Sequence, residues 1–129
     1  MSFADYVSAL ERSIPPSEKI ASRTTTIRPF SDSQGRIEIV FKFSDDSELH
    51  VAQVINLDES DPVGKYGYHY QDTSGRLIFR YDNKTHQSEL PTFPHHKHLP
   101  DDIVSAMRPS LPDVINEALA IVANIEPKK

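Results

Sequence analysis

The feature that most limits what this chain can fold into is a run of alternating residues at positions 36–44, interrupted only by apolar Val40. Branched and aromatic apolar residues occupy every second position from Ile37 to Phe43, and mostly charged residues stand between them. Such alternation gives a strand one apolar face and one polar face. A short polar turn at residues 44–47 follows, and residues 48–55 alternate again. The pattern predicts an antiparallel hairpin that is apolar on one face.

A second hairpin is predicted around Asp72-Thr73-Ser74-Gly75, a sequence that suits a type I turn leading into a bulge. If Asp72 pairs with Arg76, then Tyr70 lies opposite Ile78. This register predicts one face with Tyr66, Tyr68, Tyr70, Arg76 and Arg80, and another with Leu77, Phe79, Tyr81 and His69. A slip of one residue would exchange partners between faces and leave the tyrosines in the core. The alternation within the second strand, with Phe79 inward and Arg80 outward, does not depend on the register.

Helices are predicted at both ends of the chain. Ser2 and Asp5 have the spacing of a capping box, and an amphipathic pattern follows to about Ser13. Ser110 begins a second capping pattern, and its apolar stripe predicts a helix that ends near Asn124.

These elements define the predicted fold. Residues 20–30, rich in β-branched residues but containing Pro29, are expected to form an edge strand, which brings the strand count to five. Short connections between consecutive strands favour an antiparallel meander. The fold class is therefore predicted as α+β, a five-stranded meander with an N-terminal and a C-terminal helix packed on it. Residues 1–129 are expected to form one domain.

Composition and charge exclude several classes of function. The chain has no cysteine, which excludes disulfides and thiolate metal sites. Its apolar runs fall short of the ~20 residues of a membrane helix and its start lacks a signal-peptide layout, so a cytoplasmic protein is expected. The net charge is −5, but residues 62–98 carry +2 and the remainder −7, which predicts a local anion site. The acidic loop at residues 56–64 is interpreted as solvated rather than as a cation site.

Residues 66–98 concentrate the reactive side chains, holding five of the six histidines and four of the five tyrosines. Strand packing does not require imidazoles, so this concentration predicts a binding or reacting site. Residues 83–109 contain four prolines and no helical or strand period. They are predicted to form an ordered loop laid over the sheet.

A specific family resemblance rests on this stretch. Its motifs are Tyr68-His69-Tyr70-Gln71-Asp72, Gly75-Arg76-Leu77-Ile78-Phe79-Arg80-Tyr81-Asp82-Asn83, His86 and Pro94-His95-His96-Lys97-His98. They resemble the signature block of the TumE-type toxins, which are small bacterial proteins paired with a helix-turn-helix antitoxin in type II toxin-antitoxin modules. The resemblance implies a growth-inhibiting toxin with such an antitoxin as its partner. The family usually carries Ala-Pro-His-His after Asp-Asn, whereas this chain has Lys84-Thr85-His86-Gln87.

Metal-free RNA cleavage is the chemistry that we favour from the sequence. A pair of histidines can act as general base on a ribose 2′-hydroxyl and as general acid on the leaving oxygen. The candidate catalytic residues are His69, Arg80, Asp82, His86, His95, His96, Lys97 and His98. Arg80 would hold the phosphate, Lys97 would add positive charge, and RNA bases would stack on Tyr66, Tyr68 and Tyr70 beside Arg76.

Two other interpretations remain open. One alternative is a site for a divalent metal such as zinc. Its candidate ligands are His86, His96 and His98, or His95 in place of His86, and Asp82 is the best carboxylate candidate. In a purely structural interpretation the histidines and tyrosines satisfy backbone groups or lie in solvent, and Asp82-Asn83 caps a turn. A non-enzymatic protein that blocks a protein or RNA target, and assembly as a homodimer, are further alternatives.

Overall fold

The computed structural model describes residues 1–85 and 89–123. Within these ranges it contains two helices and seven strands. In chain order they are α1 (Phe3–Arg12), β1 (Ile20–Pro29), β2 (Gln34–Phe43), β3 (Glu48–Asn56), β4 (Val63–Gln71), β5 (Leu77–Asp82), β6 (His96–Leu99), β7 (Asp102–Ser105) and α2 (Leu111–Ile121).

The strands form one antiparallel sheet in which each strand pairs with the next along the chain. This confirms the α+β class and places β1 at an edge, but the prediction of five strands is wrong. The two additional strands, β6 and β7, come from the proline-rich stretch that was predicted as a loop. Each has four residues, which is too short for an alternating pattern to stand out in the sequence.

The helix boundaries follow from capping. Ser2 Oγ accepts the N–H of Asp5 at 3.1 Å and Asp5 Oδ2 accepts the N–H of Ser2 at 2.9 Å, which confirms the capping box of α1. Ser110 caps α2 as predicted. The structure ends α2 at Ile121, so the predicted end near Asn124 is too late; Asn124 itself lies outside the described residues.

Both helices lie on the same face of the sheet, called here the helix face. Phe3 of α1 packs on Gly35 of β2, and Glu117 of α2 accepts hydrogen bonds from Tyr81 and Lys97. The core between the helices and the sheet contains Phe3, Ile37, Ile39, Phe41, Phe43, Leu49, Val51, Ile55, Tyr66, Tyr68, Tyr70, Phe79, Tyr81, Leu111, Val114, Ile115, Ala118 and Val122. In the described ranges no helix has the length and apolar character needed to cross a membrane.

The register of the second hairpin differs from the predicted one by a residue. The turn forms as expected, with Gly75 at φ 86° and its N–H bonded to the Asp72 carbonyl at 3.0 Å. A bulge then shifts the register between Gln71 and Tyr70, so that Tyr70 pairs with Phe79 instead of Ile78. The face assignment for the tyrosines is therefore wrong. They share the helix face with Phe79, while His69 shares the opposite face with Arg80.

Candidate functional site

The sheet face opposite the helices, called here the open face, carries two parallel rows of side chains across adjacent strands. The strand registers align Ala52, Gly67, Asp82, His96 and Ser105 in the first row. They align His50, His69, Arg80, His98 and Ile103 in the second row. Because strand residues alternate between faces, Asp82 and Arg80 project together from β5, and His96 and His98 project together from β6. Neighbouring strands lie ~4.8 Å apart, so these four side chains meet.

The four side chains form a compact group, called here the Asp82 cluster, which consists of Arg80, Asp82, His96 and His98. Asp82 Oδ1 lies 2.7 Å from His96 Nε2, and Asp82 Oδ2 accepts a hydrogen bond from Arg80 Nε at 2.8 Å. His98 Nε2 lies 3.0 Å from His96 Nε2 and 3.5 Å from Asp82 Oδ2. The side chains of Asp82 and His96 are 2% and 0% exposed, whereas those of Arg80 and His98 are 30% and 21% exposed. The cluster thus has a buried half and a half that solvent can reach.

Asp82 is ionised in this environment despite its burial. Burial raises the pKa of its carboxyl group, but hydrogen bonds from Arg80 and from the Lys84 N–H, together with the charges of His96 and Arg80, outweigh that effect and lower the pKa. The cluster therefore holds a fixed negative charge next to the Arg80 guanidinium.

Gly67 provides the space in which the Arg80 side chain lies. A Cβ atom added to Gly67 would lie 3.1 Å from Arg80 Cζ and closer still to Nη2. The glycine thus lets the guanidinium rest on the backbone of β4, which fixes its direction towards Asp82.

His69 occupies the position next to Arg80 on the side away from His98. Burial lowers the pKa of His69, and the positive charge of Arg80 and the neighbouring His50 lower it further. His69 is consequently neutral near pH 7 and can accept a proton. His50 is exposed on the same face and contacts Glu48 at 2.8 Å.

A basic depression of about 220 Å³ adjoins Arg80 on the open face. Small residues, Gly67 and Ala52, contribute to its lining, and four cationic residues surround it. These are Arg36, Lys65, Arg80 and Lys84. Arg36 also pairs with Glu38 at 2.8 Å, which offsets part of its charge. The depression joins the Asp82 cluster through Arg80, and it is the kind of surface to which a phosphate group binds.

Other predicted site residues lie elsewhere. Tyr66, Tyr68 and Tyr70 are 3%, 1% and 0% exposed in the core, so an exposed stacking ladder of these tyrosines is excluded. Lys97 lies on the helix face, where its Nζ donates to Glu117 Oε2 at 2.6 Å. Arg76 is exposed beside the hairpin turn.

His95 belongs to a separate group on the helix face. Its Nδ1 lies 3.0 Å from Tyr66 Oη, and the two rings are stacked. Burial and then the positive charge of Arg108 lower the pKa of His95. Arg108 in turn pairs with Asp61 at 3.1 Å. His95 therefore does not join the Asp82 cluster, although it is adjacent to His96 in sequence.

Only part of the candidate metal set can be described. His86 lies outside the described residues. Within the described residues, Asp82, His96 and His98 are the group whose donor atoms converge, all within 4.8 Å of one another. These are the residues of this site that can hold a metal ion.

Sequence reasoning missed three contributors to the open face. Lys65 and Lys84 enter the sequence-based predictions only within the +2 charge of residues 62–98, and no role is predicted for Gly67. The signal was present in the pattern, because Lys65, Gly67 and His69 alternate along one strand and therefore share a face.

These observations define the class: a small α+β domain with a carboxylate, imidazole and guanidinium centre on the open face of an antiparallel sheet. The chain belongs to the TumE toxin family, since the family model described as Toxin TumE matches residues 9–126. The match confirms the resemblance found in the sequence. Comparisons with curated proteins and with solved structures find no match.

Proposed function

We propose that this chain is the toxin of a type II toxin-antitoxin module and that it arrests growth by cleaving RNA at the Asp82 cluster. The observation that carries the proposal is the convergence of residues distant in sequence. His69, Arg80, Asp82, His96 and His98 come from three strands and meet on one face of the sheet. Perturbed titratable groups assembled in this way are typical of functional sites.

The charge of the open face supports a polyanionic substrate. The whole chain carries −5, yet four cationic residues surround the depression beside Arg80. Local potential rather than net charge governs where a charged ligand binds. A guanidinium offers paired donors to phosphate oxygens, so Arg80 is the residue that we assign to the scissile phosphate. Lys65 and Lys84 are exposed and bind the flanking phosphates.

The row of His69, Arg80 and His98 suggests how the reaction proceeds. With the phosphate on Arg80, His69 lies on one side of it, and His98 with the rest of the Asp82 cluster lies on the other. His69 is neutral and takes the proton from the ribose 2′-hydroxyl, whose oxygen attacks phosphorus. The bond to the 5′-oxygen breaks on the side of the cluster, and that oxygen takes up a proton from solvent. The products are a 2′,3′-cyclic phosphate and a 5′-hydroxyl end.

The geometry argues against His96 and His98 as an opposed acid and base. Their Nε2 atoms lie 3.0 Å apart, which leaves no room for a phosphate between them. They act as one group with Asp82, and His69 supplies the base. Metal-independent and metal-assisted cleavage both remain compatible with this division of roles.

The partner that we propose is a helix-turn-helix antitoxin, which would bind the toxin in the cytoplasm and relieve growth arrest. The proposal of this partner rests on membership of the TumE family. The test begins with inducible expression, which should stop growth unless the adjacent reading frame for the antitoxin is expressed too.

Cleavage is tested with the purified chain and a single-stranded RNA of mixed sequence. We expect 5′-hydroxyl products from the wild type and from His50→Ala, the matched control on the same face, and at least ~100-fold slower cleavage by His69→Ala and Arg80→Ala. Growth arrest with no RNA cleavage would instead indicate a non-enzymatic toxin that blocks its target. Equal cleavage rates for all variants would overturn the assignment of His69 and Arg80 to the reaction.

A further inference from the structure

We infer that Asp82, His96 and His98 form a binding site for a divalent first-row transition metal ion, with one carboxylate oxygen and two imidazole nitrogens as ligands. The inference deepens the proposed function, because it specifies what the Asp82 cluster contributes to RNA cleavage and it rests on that function for its role. The binding itself is argued from geometry alone.

The orientation of the His96 ring is the first step. His96 Nδ1 lies 2.9 Å from the carbonyl oxygen of Pro94. A carbonyl oxygen only accepts hydrogen bonds, so Nδ1 carries a hydrogen, and Nε2 is the nitrogen that faces the cluster and would bind a metal ion. A backbone carbonyl that fixes the tautomer in this way is the usual second partner of a metal-binding histidine.

The donor atoms then face one another. His96 Nε2 lies 2.7 Å from Asp82 Oδ1 and 3.0 Å from His98 Nε2, and each of these atoms can present a lone pair. Two acceptor atoms that face each other at such a distance in a buried position need a proton or a metal cation between them. A proton between His96 and Asp82 would stabilise that one contact, whereas a metal ion would bind all three ligand atoms together.

The spacing is close to that around a metal ion. Bonds of ~2.0–2.2 Å to nitrogen and oxygen place neighbouring ligand atoms ~3–3.5 Å apart around an ion, so His96 and Asp82 would move slightly apart on binding. His96 Nε2 lies 2.7 Å from Asp82 Oδ1 and 3.0 Å from His98 Nε2, and all three donor atoms lie within 4.8 Å of one another. Arg80 Nε and the Lys84 N–H donate to the carboxylate at 2.8 and 3.2 Å and fix its direction.

The donor types select the metal. Two imidazoles and one carboxylate suit Zn²⁺ and similar first-row ions, whereas Mg²⁺ and Ca²⁺ prefer sites made of oxygen atoms. Next to a phosphate on Arg80, such an ion would stabilise the negative charge that develops on the leaving 5′-oxygen.

The experiment is isothermal titration of ZnCl2 into the full chain after dialysis against EDTA, with MgCl2 as the comparison. We expect one Zn²⁺ per chain and no binding of Mg²⁺. Replacing a ligand should weaken Zn²⁺ binding at least ~100-fold, since even residues behind the ligands contribute tenfold or more. Asp82→Asn keeps the shape of the buried side chain, and His98→Gln changes a partly exposed one, so at least one of these variants should fold. Circular dichroism checks the fold, and His50→Ala is the matched control.

The outcomes separate this inference from the proposed function. Loss of Zn²⁺ binding in a folded Asp82→Asn or His98→Gln chain, with binding kept in His50→Ala, supports the site. Absence of Zn²⁺ binding by the wild type, or equal affinity in the cluster variants, overturns it. RNA cleavage is measured separately on the EDTA-treated chain. Full activity without bound metal would reject the role of the metal ion in cleavage, while the proposed ribonuclease stands and the titration alone decides whether the site binds metal.

Discussion

Replacing Gly67 with alanine tests the packing that directs Arg80 towards Asp82. A Cβ at this position would lie 3.1 Å from Arg80 Cζ and closer to Nη2, so the guanidinium must move. We expect this movement to break the 2.8 Å hydrogen bond from Arg80 Nε to Asp82 Oδ2. The Arg80 guanidinium would then no longer be held in the position where we propose that it binds the phosphate. We therefore expect RNA cleavage to fall in parallel with stability.

The magnitude follows from two opposing terms. Loss of a partly buried hydrogen bond between charged groups lowers the free energy of unfolding by about 2 kcal/mol. Alanine in place of glycine in a strand raises it by about 0.7 kcal/mol. The net loss in the free energy of unfolding for Gly67→Ala is therefore about 1.3 kcal/mol, or roughly 5 °C in Tm for a chain of this size. In an Arg80→Ala background the clash is absent, so the same substitution should be neutral or slightly stabilising.

Urea unfolding of the two single variants and the double variant measures the coupling directly. We expect a coupling energy of about 2 kcal/mol between positions 67 and 80. The control is Gly64→Ala, whose added Cβ would meet only the carbonyl oxygen of Val54 at an ordinary 3.5 Å. If the effects at positions 67 and 80 simply add, the guanidinium does not rest on Gly67 and the reasoning is refuted.

Three further predictions concern the open face and the core. Because burial and the charge of Arg80 lower the pKa of His69 from its ordinary value, RNA cleavage should be retained at neutral pH and decline as the pH falls through that lowered pKa. A pH-rate profile without this acidic limb would remove His69 as the base. Asp82→Asn should lower the free energy of unfolding by about 3 kcal/mol in urea titrations, because it leaves His96 and Arg80 without their buried anion. A loss below about 0.5 kcal/mol would contradict this charge pairing. Tyr68→Phe should lower the free energy of unfolding by about 1–2 kcal/mol in the same assay, since buried Gln53 loses its hydrogen-bond partner at 2.7 Å. RNA cleavage should not change, and a tenfold slower reaction would restore a role for Tyr68 in RNA binding.

Local sequence patterns were sufficient to predict most of the fold. The alternation between Ile37 and Phe43 predicts β2 because a strand with one buried face must repeat every two residues. The spacing of Ser2 and Asp5 predicts the start of α1 because the cap is a local hydrogen-bond exchange. The α+β class follows from the order of these elements.

The remaining features depend on contacts that no local pattern encodes. A bulge near Gln71 moves every later pair of the second hairpin by one residue, which puts Tyr70 in the core and His69 on the open face. The four-residue strands β6 and β7 exist because β5 provides a neighbouring edge for pairing. That pairing brings His96 to Asp82, whereas the adjacent residue His95 turns to the helix face.

The central claim is that the open face around Arg80 binds RNA, and the most direct test is a nuclear magnetic resonance titration of the 15N-labelled chain. The probe is a single-stranded 2′-deoxy oligonucleotide, which lacks the attacking hydroxyl and cannot be cleaved by the proposed reaction. The account predicts that the amide signals of Lys65, Gly67, His69 and Lys84, together with the Arg80 Nε signal, shift with added oligonucleotide, while those of α1 and α2 do not. Shifts confined to the helices, or no shifts at a concentration that supports RNA cleavage, would contradict it.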